Sequence, residues 1–524
     1  MRLVLFLLIL LSSSFAAKKV DTLSFWAMDN GPGSAAVLQE MLTRFEVETS
    51  IPVVFKELKW ESAFDEIQKA FSEGTAPDVL QVGSSWISIF AGKGYLDGMQ
   101  SFLNEIDSSR FFDEMSKFSS IEGDSNYYAV PWFLDVRAFF GNKAVLDSLG
   151  IRDAHMKSFT RARGVMKAIA QNGLKNAEGK EIVPFGLPGK DDWTAPQVMA
   201  PWIWSYGGDF LVKQDSLWKS ALLDSNTLNG LFHYLTLLKD TTCVPNALFE
   251  NSVENATRFT NSEQAFLMGT SEIIRKMDVS VEEGGLKEKS ISQDGLVLIP
   301  MPFGPKGQFT FVGGSHLAIS KNAKKDTKKL LQFLVRVDHI DTYTRRIGFL
   351  PSDKSVISVW AQDPRYNALI EDLSHGRSFP NLSQWGEIET ILINMSNDIG
   401  SIYRTAIENE DRTAEVASII VRADEKIQNL LSTDSLDSLS SIDSTNSSIR
   451  NTDSLLTWVM KILSQKEKEE DFLTVKWFPK GFIIPLPGES WTFRFAIIIG
   501  IGVICLFIFF VESKYHLIRR KKKK

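Results

Sequence analysis

At 524 residues the chain is long enough for two or three domains of ordinary size, and its 44% hydrophobic and 11% aromatic residues supply a sizeable core. The net charge of −6 understates the acidity of the body, because the tail 512–524 holds seven Lys/Arg against one Glu. So acidic a body makes a poor nucleic-acid binder, and two distant cysteines, Cys243 and Cys505, argue against a disulfide or a cysteine metal site.

Met1–Ala16 has one basic residue, an apolar run over Leu3–Leu11 and small residues Ser14 and Ala16 before a cut after 16, the pattern of a secretory signal. Cleavage after Ala17 would set Phe15 where a small residue is preferred. No Cys follows the apolar run, which argues against a lipoprotein anchor. Residues 20–29 (VDTLSFWAMD) read as a strand and Pro32 to Thr49 as an amphipathic helix. Val53–Leu58 reads as a strand, Ser62–Ser72 as a helix and Asp78–Val82 as a strand that leads through Gly83-Ser84-Ser85 into another helix. This alternation predicts a mostly parallel sheet with crossover helices, in which ligands gather at the carboxyl ends of strands. Trp26, Asp29, Asn30, Ser84, Ser85 and Trp86 all follow a strand, so each is a candidate contact; capping and packing are the structural alternatives.

Tyr127–Leu146 (YYAVPWFLDVRAFFGNKAVL) is almost unbroken apolar sequence with two charges, Asp135 and Arg137. Two-residue spacing on a strand puts both side chains on one face. They form either a structural ion pair or the floor of a binding cleft. The wording of this segment, with Pro131, Trp132, Asp135, Arg137, Asn142 and Lys143, resembles the hinge-crossing stretch of family 1 extracellular solute-binding proteins, the maltose-binding-like receptors of ABC sugar importers. Further matches in the same order extend the resemblance over about residues 20–428.

Ala154–Asn172 reads as a helix and Glu181–Gly189 as a strand and turn. The aromatic stretch DDWTAPQVMAPWIWSYGGDF ends in Gly207-Gly208-Asp209, as a similar helix of that family does. Most of its aromatics belong to a core; Trp193, beside Asp191 and Asp192, is the one assigned to the cleft. Sugar rings present C–H faces that stack on indole, while their hydroxyls pair with carboxylates and Arg. At Gly269 the family often has a following aromatic, which is missing here and leaves Ser271 and Glu272 doubtful contacts. Residues 295–324 are the second strongest match, with Gly314, Ser315 and His316 as candidate contacts; a lone His is more often packed. RRIGFLPSDKSV (345–356) resembles the family's return crossing, and PNLSQWGEIETILINM (380–395) its C-terminal helix entry, where Trp385 would close the pocket.

Residues 432–454 are rich in Ser, Thr, Asp and Asn and read as a linker, and Leu455–Asp471 as a short amphipathic helix. Phe495–Val511 is a charge-free apolar run between Trp491 and the basic tail, a spanning helix with its C-terminus in the cytoplasm. No H-E-x-x-H, P-loop, G-x-S-x-G or His/Cys cluster occurs, so no catalytic residue, metal or cofactor is expected.

The fold expected is thus α/β, a two-lobed periplasmic-binding-protein type II fold with a hinge, plus a C-terminal linker and one transmembrane helix. The lobes are expected from 17–131 with 309–346 and from 132–308 with 347–430, then a linker at 431–490, a span at 491–512 and a tail at 513–524. The resemblance implies an extracytoplasmic receptor that captures a carbohydrate between its lobes and delivers it to ABC permease subunits with a cytoplasmic ATPase. A membrane-anchored glycoside hydrolase and a sensory ectodomain with a separate partner are the alternatives.

Overall fold

The computed structural model describes residues 21–189, 192–240, 243–245, 250–286, 291, 295–405, 412–437 and 454–464. The expected signal sequence and the apolar run 495–511 lie outside the described residues. Among the described residues, no helix is long and apolar enough to cross a membrane.

The strands in chain order are β1 (Leu23–Met28), β2 (Val53–Leu58), β3 (Val79–Gly83), β4 (Ala129–Val136), β5 (Ala138–Asn142), β6 (Val183–Phe185), β7 (Leu211–Gln214), β8 (Leu217–Ser220), β9 (Gln264–Gly269), β10 (Leu296–Ile299), β11 (Thr310–Ile319), β12 (Leu350–Pro351) and β13 (Gly376–Arg377). Two sheets organise them. The larger runs β12-β4-β11-β3-β1-β2, with β13 added beside β11; the smaller runs β10-β5-β9-β6. β7 and β8 form a separate hairpin.

In the larger sheet β2, β1 and β3 are parallel, joined by the helices Ser34–Thr49 and Trp60–Glu73, as strand–helix alternation predicts. β11, which returns from the second lobe, pairs antiparallel with both β3 and β4, and β12 pairs antiparallel with β4. Period-two alternation sorts β1 cleanly. Leu23, Phe25 and Ala27 enter one apolar layer with the helices Ser34–Thr49 and Val337–Ile347, while Trp26 and Met28 face the other.

β4 lies whole in the larger sheet and β5 in the smaller, with Arg137 alone between them. At strand level the lobes therefore part at Arg137, not after residue 131. The chain returns through residues 300–309 into β11. It also stays with the first lobe through β12 and β13, beyond residue 346, before the helix Trp385–Thr405 enters the second-lobe core. That core also takes the helices Phe159–Asn172, Ala195–Ser205, Ser225–Lys239 and Thr413–Asp437, the last running past the linker start expected at 431.

Candidate ligand cleft

The carboxyl ends of β1, β2 and β3 meet at one edge of the first lobe. Here Asn30 is turned inward and nearly buried. Its Nδ2 donates to Gln81 Oε1 (3.0 Å) and to the Tyr343 hydroxyl (2.8 Å), and its Oδ1 accepts from Trp60 Nε1 (3.3 Å). Gln81, fully buried on β3, also accepts from the Met28 backbone N–H and donates to Ser315 Oγ (2.7 Å). Asn30 and Ser315 thus belong to a buried network that orients Trp60 and ties β1 to β3 and β11, rather than presenting free groups to a ligand. Asp29 is paired with Lys59 (2.6 Å), and the hydrogen bond from that ammonium holds its carboxyl below the ordinary carboxylate value. Ser84 is buried, its hydroxyl donating to the Gly314 carbonyl (3.0 Å). Ser85 is half-buried.

The aromatic residues at this edge form a cluster. Trp60 meets Trp86 edge to face at 5.5 Å, and Trp86 meets Phe64 in the same way at 5.4 Å. Trp26 carries the Lys56 ammonium over its ring at 4.3 Å. Trp60 also faces Trp193 of the second lobe, with centroids 6.0 Å apart and planes 18° from parallel. Trp193 is 47% exposed, an unusual state for indole, and precedes the helix Ala195–Ser205. The pair is the point at which aromatic faces from the two lobes meet.

Between the lobes, Asp135 and Arg137 stand together as strand spacing predicts, Nη2 to Oδ2 at 3.3 Å. Arg137 Nη2 also donates to Gln197 Oε1 of the aromatic helix (2.7 Å). Asp135 Oδ1 and Arg137 Nε are buried and have no hydrogen-bond partner among the described residues. Burial pushes the Asp135 carboxyl up, Arg137 opposing and the charge of Glu272 adding.

Three expected contacts are core residues. Trp132 is fully buried, with its ring parallel to Tyr343 at 4.3 Å. A register shift between Ser315 and His316 explains its direction: it changes the phase of β4, so Val130 and Trp132 enter the outer apolar layer and Leu134 and Val136 the inner one. Trp385 is buried in the second lobe, stacked on Phe379 at 4.4 Å. His316 is fully buried, its Nε2 3.0 Å from the Met115 carbonyl, and burial lowers its pKa to about 4, so the ring is neutral near pH 7. Gly314 sits at the register shift with φ +151°, where a Cβ would meet the Phe133 carbonyl oxygen at 2.1 Å. Its role there is backbone geometry. Ser271, already doubtful, donates to the Gly348 carbonyl at 2.7 Å.

Sequence reading passed over Trp60, Gln81 and Gln197. Trp60 follows β2 as Trp26 follows most of β1, so the strand-end rule applied to β2 would have found it. Gln81 lies within a strand and Gln197 within a helix, and nothing local marks either.

Two α/β lobes, linked by repeated chain crossings and meeting over an aromatic and charged cleft, define a bilobal ligand-binding protein. The chain belongs to the bacterial extracellular solute-binding protein family, whose profile matches residues 30–338. It is similar to a binding protein of Brucella abortus (strain 2308), 23% identical over 404 residues, covering 76% of this chain and 91% of that one. It is also similar to the diacetylchitobiose binding protein DasA of Streptomyces coelicolor, 23% identical over 401 residues, covering 76% of this chain and 87% of that one. Among solved structures, an ABC transporter solute-binding protein of Thermotoga lettingae bound with α-D-tagatose superposes with a TM-score of 0.65 at 18% identity, over 78% of this chain and 100% of that chain.

Proposed function

We propose that the protein captures a carbohydrate between its lobes and delivers it to an ABC importer, with no chemical step. The observation that carries this reading is the pair of indole faces, Trp60 and Trp193, set toward each other from opposite lobes. A pyranose or furanose entering there would stack its C–H faces on indole. The unclaimed Asp135 Oδ1 and Arg137 Nε supply an acceptor and a donor for hydroxyl groups. The sugars named for the Streptomyces and Thermotoga relatives support the same class of cargo. The apolar run 495–511 and the basic residues after it support a tether with the receptor outside the membrane and the C-terminus in the cytoplasm. Such a tether would raise the receptor's concentration near its permease.

A thermal-shift screen of the purified protein against mono- and oligosaccharides, polyols and short peptides tests this, with calorimetry on each hit. A sugar that raises the melting temperature, and does so less in Trp193→Ala and Asp135→Ala, is the expected result. Hydrolysis products from the sugars would overturn it in favour of a glycosidase, and a shift with peptides alone would reassign the cargo.

A further inference from the structure

Residues 454–464 form a helix beyond the last helix of the second lobe. Its apolar residues recur at 455, 459 and 463 and at 456, 460 and 463, a stripe along one side. The stripe is covered. Val459 is fully buried, Leu463 is 6% exposed, and both join the second-lobe core that contains Ile399, Ile420 and Ile427. Leu455, Leu456, Met460 and Ile462 pack against the same core, while Ser454, Thr457, Trp458 and Lys461 face outward. The solved structure from Thermotoga is matched along its entire length by 78% of this chain.

We infer that the helix 454–464 is a built-in latch by which the C-terminal extension docks on its own second lobe, fixing that lobe as the one held toward the membrane. The consequence for spacing rests on the tether proposed above. If the extension left the lobe at Asp437, the 53 residues 438–490 would separate the lobe from the apolar segment. Drawn out, they reach up to about 180 Å. Docking leaves only the 26 residues 465–490, with a reach of about 90 Å. The latch halves the tether and leaves the first lobe as the one free to swing. A bilayer is the competing occupant for an amphipathic helix, but the stripe here is already taken up by protein.

Hydrogen exchange on the full chain in lipid nanodiscs tests the docking directly. Amides 457–463 should exchange as slowly as those of the helix Thr413–Asp437. The double variant Val459→Asp, Leu463→Asp should lose at least tenfold of that protection while residues 413–437 keep theirs. Fast exchange at 457–463 in the unaltered chain would overturn the latch, as would protection that persists in the double variant. The spacing is read separately, by energy transfer from a dye on Lys426→Cys (with Cys505→Ser) to labelled lipid. The double variant should lengthen and broaden that distance, and an unchanged distance would overturn the spacing role. If the chain proves not to be membrane-held, the tether reading fails while the exchange result still decides the docking.

Discussion

Trp132 lies flat against Tyr343, ring centroids 4.3 Å apart and planes 4° from parallel, and this contact fastens β4 to the helix Val337–Ile347. Tyr343 in turn accepts from Asn30, so the contact also supports the network that aims Trp60. Trp132→Ala should destabilise the protein by about 3–5 kcal/mol, the cost of emptying a large aromatic site in a packed core. Urea unfolding reads the loss. Sugar affinity, measured well below the new melting point, should fall far less than in the cleft variants.

Trp193 has the opposite profile. It is 47% exposed, so Trp193→Ala should barely change the melting temperature. Loss of one stacking face should weaken binding of the sugar identified in the screen by ~1 kcal/mol, about fivefold, by calorimetry. An unaltered affinity would remove Trp193 from the site.

Gly314 cannot be replaced cheaply. Its positive φ and the approach of the Phe133 carbonyl leave no room for a Cβ. Gly314→Ala should cost roughly 2–4 kcal/mol, through strain and local displacement of β4 from β11. A melting temperature within a degree of the parent's would show that the register shift can be redrawn.

Asp372 gives stability a pH dependence. It is 4% exposed, and its Oδ1 accepts from Gln308 at 3.0 Å. Burial raises its pKa to about 7. The unfolded chain ionises this group near pH 4 while the folded one holds the proton to about 7, so this contribution to stability falls as pH rises through that window. His316 acts in the other direction. Its folded pKa of about 4 lies below the unfolded value near 6.5, so its contribution rises with pH between the two. Asp372→Asn keeps an acceptor for Gln308 and removes only the first effect. Denaturation at pH 5 and pH 8 should show the variant gaining stability relative to the parent at the higher pH.

Much of this was legible in sequence, because it follows from local period. The β1–β3 alternation, the shared face of Asp135 and Arg137, and an amphipathic helix soon after residue 454 all depend on spacings of two or of three to four. What was not legible depends on partners far along the chain. Trp132 joins the outer layer because it is itself the extra residue of β4 where pairing with β11 slips, Phe133 facing Ser315 and Pro131 facing His316, and only the distant partner strand reveals that slip. Asn30 and Ser315 are consumed by Gln81, and His316 by the backbone of Met115. A strand-end position told which residues were near the cleft, but not which of them had side chains left over.

The single residue between β4 and β5 joins two passes of the chain between the sheets. Arg137 is bonded on both sides of its own backbone to the start of β11: its N–H donates to the Phe311 carbonyl at 3.0 Å, and Thr310 Oγ1 donates to its carbonyl. The two passes of the chain are pinned together there, as two leaves share a spindle. A rotation of the lobes about that spindle would displace little that lies beside it, Asp135 included, and would change the separation of Trp60 and Trp193, which belong to opposite lobes. Closure about the spindle after a ligand has entered would make capture a two-step event, binding first and approach of the two indoles second. In stopped-flow records, a concentration-dependent first phase should precede a concentration-independent change in tryptophan emission, and Trp193→Ala should remove much of the second phase alone.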